Sequence, residues 1–290
     1  MTATLAPARP GAVAGRATFA ALALREMRRF ARNPVLLFGV AITVVALWAS
    51  RSTTITDIDD ENWVAAIFLG GFGMMATYWL TRSMRASEPV VGVTPVTQPA
   101  RTAALCTVAI VPFACGCLAL LRFVQLIPVG NPAYGAFSPS ARVAVLVGQF
   151  VVPSLGGPLL GVALGRWVRF PGAAFVLFLF LYGWVSLVTI LAIWHPDSAP
   201  VAVLRLFAPF AFFTYTLNAG SVTTCRGSPW FFIGWQLALC VIAVLVALLR
   251  GAEGRARSRI IRALGVAGAA ALILLVLAGT SGFAHAVTAR

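Results

Sequence analysis

Seven long apolar segments constrain this chain more than any other feature. They run at 34–50, 63–80, 103–126, 143–165, 172–194, 230–249 and 263–280. Each is close to the roughly 20 residues that carry an α-helix across a hydrocarbon core. No water is available there to satisfy backbone N–H and C=O groups, so such segments must close their hydrogen bonds internally as helices. Hydrophobic residues make up 60% of the chain, charged residues only 10%, and the mean hydropathy is +0.92. That combination excludes a soluble globular domain.

The net charge of +14 is large enough to raise the question of nucleic acid, but its distribution answers it. If the basic N-terminus is cytosolic, sixteen of the 22 arginines fall on the cytosolic side of the apolar segments. Only Arg51, Arg122, Arg142, Arg205, Arg226 and Arg290 fall outside, against five of the eight acids. The cytosolic side then carries +13 and the outer side +1. This is the arginine bias that orients membrane helices, so no nucleic-acid partner is expected.

Residues 18–33 form a different kind of helix. Phe19, Leu22, Ala23, Met27 and Phe30 fall on one face, and Arg25, Arg28, Arg29 and Arg32 on the other. Such a helix lies in the headgroup plane with its guanidinium groups towards anionic lipid. Asn33-Pro34 interrupts it where the chain must turn into the bilayer. A plain positive-inside anchor and the elbow helix of a transporter both fit. Glu26 breaks the apolar face, and an ion pair with Arg29 or with an arginine of a cytosolic loop is expected for it. The division is therefore 1–33, cytosolic tail and elbow helix, and 34–290, transmembrane domain. No cleavable signal peptide is expected, because the apolar run before Arg25 is too short for an h-region.

Several chemistries are excluded. The sequence contains no lysine, so neither a G-x-x-x-x-G-K-[ST] phosphate loop nor a lysine Schiff base can form. The only histidines, His195 and His285, lie at segment ends and cannot supply a paired-histidine metalloprotease motif. All eight acids lie outside the apolar segments, whereas ion-coupled carriers usually hold a carboxylate near the midplane. If the chain moves a cargo, the energy comes from another chain. It is not expected to be an enzyme, and no cofactor or metal site is read from it. Of the five cysteines, four lie in apolar segments as small packing side chains, and no disulfide framework is expected.

The stretch 82–101 joins the second and third segments. It carries Arg82, Arg85, Glu88, Thr94-Pro95-Val96, Pro99 and Arg101. It reads either as a basic loop or as a short helix that docks on a soluble partner and then turns into the third segment. Here the chain resembles the permease subunits of type-2 ATP-binding-cassette exporters. In that family an arginine- and glutamate-bearing loop runs into a T-P-V-[ST] turn and an arginine before the third span. Arg28-Arg29, Arg32 and Asn33-Pro34 also resemble the family's R-x-x-x-R-N-P lead into span one. The motifs cover about the first 125 residues, and span layout alone covers the rest. Pro89-Val90 stands where the family usually has glycine-threonine, which alters the docking surface.

The segment 195–229 is too long for a connector, and its middle, 201–215, is apolar and aromatic. Phe207, Phe210 and Phe213 with a break at Pro209 suggest a re-entrant lid or a pair of half-spans, and the resemblance implies short re-entrant helices at this place. In the fourth segment Gly157, Gly161 and Gly165 repeat every four residues, a smooth stripe for close helix packing, while Pro153 and Pro158 bend the helix. Asp57, Asp59, Asp60 and Glu61 precede the second segment and favour a helix N-terminus there.

The expected fold is all-α and polytopic: an interfacial elbow helix, six to seven transmembrane helices and a re-entrant external segment. The resemblance implies a bacterial plasma-membrane permease with a separate nucleotide-binding ATPase subunit, a second permease copy and surrounding lipids. Its cargo would be lipophilic or amphipathic. The family core has six spans, so segment 263–280 would be an extension that carries the C-terminus outside. A non-transporting membrane anchor or assembly factor, and a membrane-embedded enzyme on lipid-linked substrates, stay open beside it.

Overall fold

In the computed structural model the described residues are 12–49, 64–86, 97–126, 138–194, 204, 207, 215–218, 221–224, 228–281 and 286–288. The chain is a polytopic helical membrane protein. Among the described residues four helices are long and apolar enough to cross a bilayer, five if one bent pair counts as a single span. The described residues of all seven apolar segments fall largely on helices.

Helix α1 (Ala12–Ala31) is followed, after Arg32-Asn33, by α2 (Pro34–Ala49), and the two meet at 62°. The break has a local cause. Pro34 cannot continue α1, and the Asn33 side chain accepts from the Val35 N–H at 2.9 Å, capping α2. Helix α3 opens with a π-helical turn (Ala65–Gly71) and continues as Phe72–Ala86. Helix α4 covers Gln98–Leu126 with a 3₁₀ turn at Thr107–Ala109. Helix α5 (Pro139–Trp167) begins at Ser138, whose Oγ accepts from the Ala141 N–H. Helix α6 (Ala173–Trp194), α7 (Pro229–Leu249) and α8 (Gly254–Thr280) follow. The turn from α7 to α8 passes through Gly254 at φ +52°, a left-handed conformation suited to glycine.

Helix α5 is the axis of the bundle, enclosed by α3, α4 and α7. Its glycine stripe lies against α3. A side chain on Gly157 would overlap the Gly70 carbonyl, one on Gly161 the Met74 carbonyl and the Thr77 hydroxyl, and one on Gly165 the Thr81 side chain. The approach is reciprocal, since Gly70 and Gly73 lie against Pro153 and Pro158. The Thr77 hydroxyl lies 2.9 Å from the Pro158 carbonyl, a hydrogen bond across the seam. Around it Phe30, Leu36, Leu105, Val108, Val162 and Ala247 form the main apolar core.

Helix α8 sits at the edge, touching α7 through one face and presenting Val266, Leu272, Ile273 and Val276 outward. The Ser228 N–H donates to Ser281 Oγ at 2.8 Å, which brings the end of α8 to the start of α7. In addition to the expected helices, three short strands, β1 (Tyr215–Asn218), β2 (Ser221–Thr224) and β3 (Ala286–Thr288), form an antiparallel sheet at this end. β2 is central, pairing Asn218 with Ser221 on one side and Val222 with Val287 on the other.

Candidate functional site

Two surfaces concentrate the groups able to engage a partner or cargo. The first is the end of the bundle where α1, the end of α3, the start of α4 and the α5–α6 and α7–α8 turns converge.

Helix α1 packs its apolar face against Gln98–Cys106, burying Ala23 and Phe30 while Arg25, Arg28, Arg29 and Arg32 stay exposed. Glu26 lies on the packed face and is only 6% exposed. Arg29 sits on the exposed face and reaches Ser83 Oγ at 3.4 Å, while Glu26 Oε2 has no hydrogen-bond partner among the described residues. Positions 26 and 29 are neighbours around the helix, and the edge of the packed face runs between them, leaving Glu26 buried and Arg29 exposed.

Arg82 stands over the Trp79 ring at 5.6 Å. Arg85 Nη1 donates to the Arg166 carbonyl at 3.4 Å, and Arg250 Nη1 donates to the same oxygen. That oxygen lies in the last turn of α5, where unpaired carbonyls and the helix dipole favour cations. Trp167 completes the cluster: its Nε1 donates to the Val246 carbonyl at 2.8 Å, and Arg250 covers its ring at 5.7 Å. Arg101 stands half-buried in the first turn of α4. Glu88, Thr94 and Pro95 lie outside the described residues. The Arg85–Arg166–Trp167–Arg250 cluster went unread in the sequence because its members come from the ends of three separate helices, and no spacing signals that they meet.

The second surface is aromatic and runs across α2, α3 and α6. Phe38 meets Phe72 edge-on at 5.7 Å, Phe72 stacks on Phe178 at 6.3 Å, and Phe178 stacks on Tyr182 at 6.2 Å. Gly71 makes the ladder possible, since any side chain there would strike the Phe178 ring. Phe38 is 59% and Tyr182 44% exposed, so the ladder faces outward from this chain. Of the expected lid, Phe207 is half exposed, and its carbonyl accepts from Trp184 Nε1 at 2.9 Å. Pro209, Phe210 and Phe213 lie outside the described residues.

The chemistry on offer is binding: guanidinium groups for acidic or anionic partners at one end, and apolar and aromatic area along the side. Cys106, Cys115, Cys117 and Cys240 are free thiols. Among the described residues no three His, Cys, Asp or Glu side chains come together as a metal site. No family model matches the chain, and neither characterised proteins nor solved structures give a match.

Proposed function

We propose that the chain is the membrane-spanning subunit of an ATP-driven exporter of a bacterial plasma membrane, with α2 to α8 as seven spans and α1 as an interfacial elbow. One observation carries the reading. The stretch around Arg28–Pro34 and the two described ends of the 82–101 stretch, 82–86 and 97–101, are far apart in sequence yet meet at one end of the bundle. There α1 lies on the first turns of α4, and Arg29 reaches Ser83. A surface that joins an elbow helix to the turn into the third span is where a cytosolic ATPase could push on the bundle. Rigid helices packed through the glycine seam would carry that push to the membrane. The exposed apolar faces of α6 and α8 suit a second copy of the chain, with a path for a lipophilic or amphipathic cargo between the two.

Purification of the tagged full-length chain from its native membranes tests this. A P-loop ATPase should copurify in stoichiometric amount. The charge reversals Arg85→Glu and Glu88→Arg should separate its ATP turnover from transport while leaving membrane insertion unchanged. Recovery of the chain with no ATPase would replace the exporter by a membrane anchor or assembly factor.

A further inference from the structure

An open groove of about 290 Å³ lies between α2, the π-helical turn of α3 and α4. Val40, Leu47, Leu69 and Ala119 are among its walls, and its lining is apolar apart from Thr43, Cys115 and Arg122. Thr43 spends its hydroxyl proton on the Gly39 carbonyl of its own helix, so it offers little to attract a polar ligand. From Val40 to Trp48 the α2 wall rises eight residues, about 12 Å along the helix. Helix α4 runs the same way beside it, from Cys115 to Arg122. Both helices start at the arginine-rich end, so Trp48 and Arg122 mark the groove's opposite end. Both are exposed.

We propose that this groove holds one acyl chain of an anionic phospholipid, with the lipid phosphate on Arg122, in the leaflet opposite the arginine-rich end. The groove is apolar where the hydrocarbon would lie, and its charge sits at one end only. A tryptophan and an arginine at one level are what a headgroup boundary favours, the indole amphipathic and the guanidinium reaching up from an apolar stem. A guanidinium fork matches phosphate geometry. A zwitterionic lipid would bring an ammonium group beside Arg122, whereas an anionic one would not. An apolar helix from a second copy would bury the guanidinium without a counter-charge, an expensive arrangement. The inference stands independently of any ATPase partner.

The test uses the full-length chain in phosphatidylcholine vesicles containing a minor fraction of acyl-brominated lipid. The share of tryptophan quenching due to Trp48 is the difference between the native chain and Trp48→Phe. That share should reflect about fivefold preference for brominated phosphatidylglycerol over brominated phosphatidylcholine. Arg122→Gln should abolish the preference, Arg122→Lys should keep part of it, and Arg142→Gln should leave it intact. Equal quenching by the two lipids in the native chain would overturn the proposal, as would a preference that survives Arg122→Gln. Loss of the preference in Arg142→Gln to the same degree would assign it to general surface charge and overturn it too. If Trp48 is quenched by neither lipid, protein covers the groove and the lipid is excluded.

Discussion

The α3–α5 seam shows how much depends on the absence of single side chains. Gly157 and Gly161 face backbone oxygens of α3, and backbone cannot swing aside as the end of a flexible side chain can. Overpacking a close contact costs about 1–3 kcal/mol. Gly157→Val and Gly161→Val are therefore expected to lower the thermal unfolding midpoint of the detergent-solubilised protein by several degrees. Gly183→Ala and Gly265→Ala are the controls. Nothing lies within 4 Å of a side chain added at either position, so their midpoints should stay at or above that of the native chain. Equal losses at all four sites would mean that general helix distortion, and not the seam, sets the effect.

At the scale of elements, helix starts carry a recurring signal. Asn33-Pro34, Ser138-Pro139 and Ser228-Pro229 each place a polar residue just before a proline at the first helical position. At Asn33-Pro34 the same signal also ends the preceding helix, and the 62° bend follows. Pro34→Ala restores an N–H and removes the ring, so α1 and α2 should approach one continuous helix. Spin labels at Arg25 and Ala41, both exposed, should then move apart, as read by double electron–electron resonance. Asn33→Ala should leave the bend and cost about 1 kcal/mol of stability through the lost cap. An unchanged label distance in Pro34→Ala would show that packing of Phe30 and Ala23 on α4, not proline, holds the angle.

At the scale of the whole molecule, the connection of α7 and α8 bears on topology. Ser228 and Ser281 are hydrogen-bonded, and β3 pairs with β2, so β3 lies at the end that holds β1 and β2. Arginines 255, 257, 259 and 262 gather at the opposite end of α8. If those arginines are cytosolic, as the positive-inside bias predicts, the C-terminus is expected outside. A C-terminal fusion to an export-dependent reporter should be active. Cysteines at 228 and 281, in a chain lacking Cys225, should cross-link on addition of an impermeant oxidant to intact cells. A tag at Arg290 that reacts only from the cytosol would remove α8 from the spans.

Fold class, segment placement, helix breaks and the glycine stripe were legible because each depends on local chemistry. An apolar run must satisfy its backbone as a helix in lipid, a proline removes a donor wherever it stands, and four-residue spacing stacks glycines on one face whatever lies opposite. The partner of each face was not legible. That the stripe meets Gly70, Met74 and Thr81, that Gly71 leaves room for Phe178, and that Arg85 and Arg250 share one carbonyl depends on which helices become neighbours. That Glu26 turns inward while Arg29 turns out was settled by the docking of α1 on α4. The pairing of β3 with β2 closes a separation in sequence that no local pattern records. Local pattern determines what each residue can do on its own element, whereas contact between elements follows from how the whole bundle buries its small and polar side chains at once.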